Sequence, residues 1–170
     1  HTLDKPMFLP FYEAMAETDL TLGVHVGWAC PSLNNLYSEL YPSWITAFLM
    51  PVMMGFVAFM TGGVLDRFPS LRVVFLEAGC LWIPFVIDRL NHRFSHAQRL
   101  ADLYPQVNLR AAAEPNEYLS RGNLYWSAEV EDDMLPQVLD LVGDGQIVYG
   151  SDMPHSDRER FAAKTLMERN

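Results

Sequence analysis

Three short segments set titratable side chains directly after apolar runs. Gly150-Ser151-Asp152-Met153-Pro154-His155 follows Gln146-Ile147-Val148-Tyr149 and groups a hydroxyl, an acid and an imidazole. His25-Val26-Gly27 follows Thr21-Leu22-Gly23-Val24, and Glu77-Ala78-Gly79 follows Leu71-Arg72-Val73-Val74-Phe75-Leu76. Carboxylates and imidazoles are the groups that ligate a divalent cation or carry a proton. Each segment alone also has a bland reading. Ser-Asp ahead of Met-Pro suits a turn or a helix N-cap, and a lone His or Glu after a strand is often only a hydrogen-bonded structural residue. Three such groups, delivered by strands lying side by side in one parallel sheet, would converge. That is the layout of a metal or acid/base site.

The elements that must do the positioning are legible from the apolar pattern. Short apolar runs bounded by Gly and Pro predict strands over 20–26, 71–76, 123–127 and 146–149. Between them lie helical patterns over 5–18, 44–68, 81–94 and 131–142, with a last helix from residue 156. A loop rich in Pro, Asn and Tyr spans 31–42 and a polar connector 96–121. Four strands alternating with helices predict an α/β fold.

His25-Val26-Gly27, the stretch from Gly63-Val64-Leu65-Asp66-Arg67-Phe68-Pro69-Ser70 through Leu76-Glu77-Ala78-Gly79, and Tyr149-Gly150-Ser151-Asp152-Met153-Pro154-His155 together resemble the amidohydrolase-related family. This branch of the amidohydrolase superfamily includes aminocarboxymuconate semialdehyde decarboxylase and related decarboxylases, hydratases and hydrolases. The resemblance runs from about residue 6 to residue 155 in one order. It implies a (β/α)8 TIM barrel, with residues 1–170 forming the C-terminal half of a single domain, about its last four βα units. Such a barrel takes roughly 250 residues when complete, and this chain has 170. The His-x-His or Glu-x-His pair that opens the family's barrel does not occur in it.

The same resemblance implies roles. His25 is a metal-binding histidine after the fifth barrel strand, and Asp152 is the acid after the eighth, touching the metal and moving a proton. Glu77 stands where many relatives carry a catalytic histidine and others a Glu, so it is a metal ligand, a general base or a substrate partner. Ser151 and His155 order the loop behind the metal. Trp28, Trp82 and Met153 line an apolar pocket for a planar acid, or equally pack the barrel. The implied cofactor is a divalent metal, zinc first and manganese second. The implied activity is hydrolysis or non-oxidative decarboxylation of a small aromatic or unsaturated carboxylic acid. The alternative is a truncated, inactive relative that keeps the fold and its oligomer interface.

Composition narrows the partners. The net charge is −9 and no Lys/Arg cluster occurs, which argues against nucleic acid, whose backbone demands several basic contacts. Residues 41–65 carry no charge and approach the length a bilayer needs. Pro51, Gly55, Gly62-Gly63 and the lack of a flanking basic cluster favour a barrel helix over a membrane span. A helix apolar on every face predicts a covered outer face, hence a homo-oligomer, most simply a dimer, with Met53, Met54, Phe56 and Phe59 in the interface. His92 and His96 read as surface histidines of an outer helix. Cys30 and Cys80 read as free thiols of a cytoplasmic protein.

Overall fold

The computed structural model describes residues 1–170 except Val26, Trp28, Ala29, Ser156, Asp157, Arg158 and Asn170. Strands β1 (Thr21–Val24), β2 (Arg72–Phe75), β3 (Leu124–Ala128) and β4 (Ile147–Tyr149) form one sheet in the order β1-β2-β3-β4. Every pair is parallel. A parallel pair cannot close through a tight turn, so each connection must cross over, and here helices make the crossing. A 3-10 turn (Pro6–Phe8) and α1 (Leu9–Glu17) precede β1. Between β1 and β2 run α2 (Pro31–Asn34), α3 (Leu40–Trp44), a π-helical turn (Ile45–Leu49), α4 (Met50–Thr61) and α5 (Val64–Arg67). Then come α6 (Trp82–Leu103) and α7 (Pro115–Ser120) before β3, α8 (Leu135–Val142) before β4, and α9 (Ala162–Arg169).

The core lies between the sheet and the helices on one of its faces. Phe56 of α4 packs edge-on against Phe75 and Trp82, both at 5.3 Å, and against Trp126 at 5.9 Å. Phe59 meets Tyr12 of α1 at 5.4 Å and Phe75 at 6.2 Å. Burying a side chain of this size contributes about 1.5–3 kcal/mol. This corrects the outward face expected of α4: Phe56 and Phe59 are 0 % and 1 % exposed and belong to the chain's own core. Trp44, Ile45, Met50 and Met54 are the residues that stay exposed along this run. By length and composition Leu40–Thr61 could cross a membrane, and 39 % of its most apolar window is buried inside the chain.

The helix expected over 44–68 starts at Leu40 and stops at Thr61. Gly63 takes a φ of +74°, and a Cβ at Gly62 would sit 2.3 Å from the Cβ of Asp4, so the chain turns where only glycine fits. In the opposite direction, α6 runs past residue 94 to Leu103, into the expected polar connector. Leu90, Phe94, Ala97 and Ala101 are its buried or half-buried stripe, and the polar residues between them are its wet face. Strand one ends at Val24, before His25, and α8 starts at Leu135 rather than 131. The start expected for the last helix, Ser156, lies outside the described residues; α9 begins at Ala162.

Where the strands enter the sheet, acids are matched with arginines. Asp4, buried, pairs with Arg110. Asp66 accepts from Tyr118 Oη at 2.6 Å and from the Ala112 N–H at 2.9 Å, with Arg121 at 3.6 Å. Arg72 meets Asp19 at 2.9 Å.

Candidate active site

At the other end of the sheet the strands deliver His25 one residue past β1, Glu77 two past β2, and Asp152 three past β4. Glu77 and Asp152 have φ of 54° and 51°. The left-handed region costs a residue with a Cβ about 1–2 kcal/mol and persists only where the surroundings enforce it. Here it breaks the strand alternation and turns each carboxylate over the mouth. At Asp152 the turn is closed by the His155 N–H, which donates to the Asp152 carbonyl at 2.9 Å, and the Met153–Pro154 peptide within it is cis.

The side chains then meet in pairs. His25 Nε2 lies 3.2 Å from Glu77 Oε1, and His155 Nδ1 lies 2.8 Å from Asp152 Oδ1. Glu77, Asp152 and His155 each offer a ligand atom, all within 4.8 Å of one another. Two carboxylates and an imidazole are a mixed oxygen and nitrogen set that suits zinc or manganese, and the residues present therefore fit the divalent metal the family implies.

These residues line a cavity of about 700 Å³. Its wall carries five carboxylates (Glu77, Glu129, Glu131, Asp152 and Glu159) and the imidazoles of His25 and His155, and no Lys or Arg among the described residues. Trp44 and Phe48, flanking and within the π-helical turn, form an aromatic side of the cavity. Much of Glu129 is open to solvent, yet its carboxyl is pushed up. Burial around it is the main cause, followed by the negative charges of Asp132, Glu131 and Glu77, while the Gly79 N–H opposes them.

Of the other residues singled out in the sequence, Ser151 lines the cavity. Met153 is exposed and is not part of its wall, and Trp82 is in the core, its Nε1 donating to the Gly79 carbonyl at 3.0 Å, which is the packing role. Trp28 lies outside the described residues. His92 and His96 are exposed on α6, and both cysteines are free. Burial, then the neighbouring Asp132, pushes the Cys80 thiol up to about 12, which makes it inert. The sequence reading missed the end of β3. Ser127-Ala128-Glu129 repeats the strand-end acid of Leu76-Glu77, but no Gly follows to mark it.

A family model described as Amidohydrolase matches residues 2–169. The 2-amino-3-carboxymuconate-6-semialdehyde decarboxylase of Dictyostelium discoideum is 24 % identical over 154 residues, which are 89 % of this chain and 40 % of that protein. The solved 5-carboxyvanillate decarboxylase of Sphingomonas paucimobilis superposes with a TM-score of 0.79 at 20 % identity, over 99 % of this chain and 48 % of its own. A second 5-carboxyvanillate decarboxylase, from Novosphingobium aromaticivorans, was solved with manganese and 3-methoxy-4-hydroxy-5-nitrobenzoic acid; its TM-score is 0.78 at 18 % identity, over 99 % of this chain and 47 % of its own. The chain thus spans about half the length, or less, of these three relatives, and its sheet with helices on one face has the fold of part of their barrel.

Proposed function

Because the chain belongs to the amidohydrolase family, we propose that it contributes four βα units to a metal-dependent enzyme that removes carbon dioxide, without oxidation, from a small aromatic or unsaturated carboxylic acid. The observation that carries this reading is the convergence of Glu77, Asp152 and His155, with His25 against Glu77, on one cavity whose described lining holds no Lys or Arg. The relatives' substrates, carboxyvanillate and carboxymuconate semialdehyde, support decarboxylation over hydrolysis. Manganese in the Novosphingobium protein makes that ion the first to test, ahead of zinc.

Glu77, Asp152 and His155, in place of the expected pair His25 and Asp152, would hold the cation, which polarises a substrate carboxylate or hydroxyl when bound. Asp152 takes the proton of a substrate hydroxyl. The bond between the ring carbon and the carboxyl group breaks, carbon dioxide leaves without the bonding pair, and the proton that takes its place on that carbon comes from a protonated His25, relayed through the Glu77 Oε1 it touches. Trp44 and Phe48 offer a flat apolar wall that orients a planar ring and keeps water from the carbon.

A second copy of the chain is part of the proposal. Helices cover one face of the sheet, while Thr21 and Gly23 are exposed, and β1 and β4 are its edges. Open parallel edges and the exposed Trp44, Ile45 and Met54 are association surfaces. Light scattering at micromolar protein tests the dimer. The function is tested by incubating the protein with manganese or zinc and 5-carboxyvanillate or a hydroxybenzoate and measuring released carbon dioxide. Metal-dependent release that disappears in Asp152→Asn supports it. Calorimetry showing no divalent-ion binding would overturn it.

A further inference from the structure

Beyond Phe75, which pairs with Trp126, the backbone ladder between β2 and β3 ends, and the chain from Glu77 to Cys80 turns through left-handed φ values of 54° at Glu77 and 58° at Gly79. A loop in that conformation cannot extend the ladder, yet its N–H groups still need acceptors. The end of β3 supplies them from side chains. The Glu77 N–H donates to Ser127 Oγ at 3.0 Å, the Gly79 N–H to Glu129 Oε1 at 3.1 Å, and the Cys80 N–H to Asp132 Oδ2 at 3.1 Å. The acceptors are themselves held. Ser127 is buried in β3, and Asp132 Oδ2 also accepts from the Glu129 N–H at 2.9 Å and from the Cys80 thiol at 3.3 Å. The fit is close: a Cβ at Gly79 would lie 2.9 Å from Asp132 Oδ1.

We propose that Ser127, Glu129 and Asp132 are positioning residues, a three-point clamp from the end of β3 that holds the 77–80 loop in its left-handed turn and so aims Glu77 at Asp152 and His155. The proposal rests on the reading of Glu77 as part of the metal and proton-transfer site. A strained turn returns to ordinary φ values when its restraints are removed, and a ligand carboxylate that swings even slightly loses its cation. Groups that orient a ligand from behind are worth 10- to 100-fold in metal affinity.

The chemistry required of Ser127 and Glu129 is acceptance of one hydrogen bond, not charge. Ser127→Ala and Glu129→Ala should each weaken manganese binding, measured by calorimetry, about tenfold or more. Ser127→Thr and Glu129→Gln, which keep an acceptor, should restore it to within about threefold. Amide exchange in metal-free protein gives a readout independent of the ion. The Glu77 amide should exchange at least about tenfold faster in Ser127→Ala, and the Gly79 amide likewise in Glu129→Ala. Unchanged exchange in both Ala variants overturns the clamp. So does equal weakening by Glu129→Gln and Glu129→Ala, which would make Glu129 a charge rather than an acceptor. If Ser127→Ala, in the buried position, does not fold, the exposed Glu129 pair decides. If the unaltered protein binds no manganese or zinc, the proposed function fails while amide exchange still tests the clamp.

Discussion

The two ends of the sheet use the same acids in opposite ways. At the end where strands enter, Asp4, Asp66 and Asp19 each have an arginine within reach: Arg110, Arg121 and Arg72. At the end where strands leave, the cavity wall gathers five carboxylates and two imidazoles with no Lys or Arg among the described residues. The contrast shows in the titration of single groups. Burial would raise the Asp4 carboxyl, but hydrogen bonds from Thr2 and Arg110 and the Arg110 charge outweigh it and hold it at about 2. Glu129, at the mouth, is pushed the other way by burial and by its acidic neighbours. Like charges gathered around one cavity repel, so such a mouth favours a bound cation, which the described residues of its wall supply as neither Lys nor Arg. Among the described residues, the end of the sheet without arginine marks the chemistry better than the acids do, since acids stand at both ends.

This comparison can be broken from either side. The largest effect is expected from Asp152→Asn, which removes a ligand and a proton acceptor: turnover should fall by about two to four orders of magnitude and manganese binding should disappear. Wild-type turnover with bound metal would end the distinction between the two ends. Glu77→Gln keeps shape and loses proton chemistry, so turnover should drop by about two orders of magnitude while the urea midpoint holds. Arg110→Leu should give the reverse signature. It leaves the buried Asp4 carboxylate with only Lys5, 4.0 Å away, as a cation, so stability should fall by about 1–3 kcal/mol in urea unfolding with metal affinity unchanged. Because the folded Asp4 carboxyl is depressed from 3.8 to about 2, its contribution is complete above the higher value and is lost as pH falls toward the lower one. The Arg110→Leu protein should therefore lose less stability than the parent between those two pH values. The smallest effect belongs to His92→Ala, on the exposed face of α6: stability within about 0.5 kcal/mol and metal affinity unchanged.

The strands and most helix cores were legible in the sequence because their apolar residues recur at the spacing the geometry requires. Boundaries failed where a local rule competed with packing. Gly62 and Gly63 broke a continuous apolar run, since Asp4 at Gly62 and the Arg110 carbonyl at Gly63 leave no room for a side chain. α6 continued through residues that read as polar connector, since Phe94, Ala97 and Ala101 are enough to seat one face. At the site, His25, Glu77 and Asp152 stood out because each follows an apolar run and precedes a glycine or proline. Ser127, Glu129 and Asp132 did not. Their work is to accept N–H groups from another strand's loop, some 50 residues away in the chain, and no local pattern encodes that. Trp82 looked like a pocket wall because it follows Glu77 closely, but the helix starting there carries it back into the core.

The left-handed backbone at Glu77 and Asp152, shared by Asp19 at the other end, sets folding stability against side-chain chemistry at these positions. Glycine, and to a lesser degree asparagine, adopts that geometry more readily than Glu or Asp, so either acid could be exchanged for a gain of about 1 kcal/mol in folding. A lineage released from chemistry would drift toward Gly or Asn at both sites, as toward any easy gain in stability. This chain still carries an acid at each. A library selected only for folding should enrich Gly and Asn at 77 and 152, whereas one selected for metal-dependent turnover should return Glu and Asp.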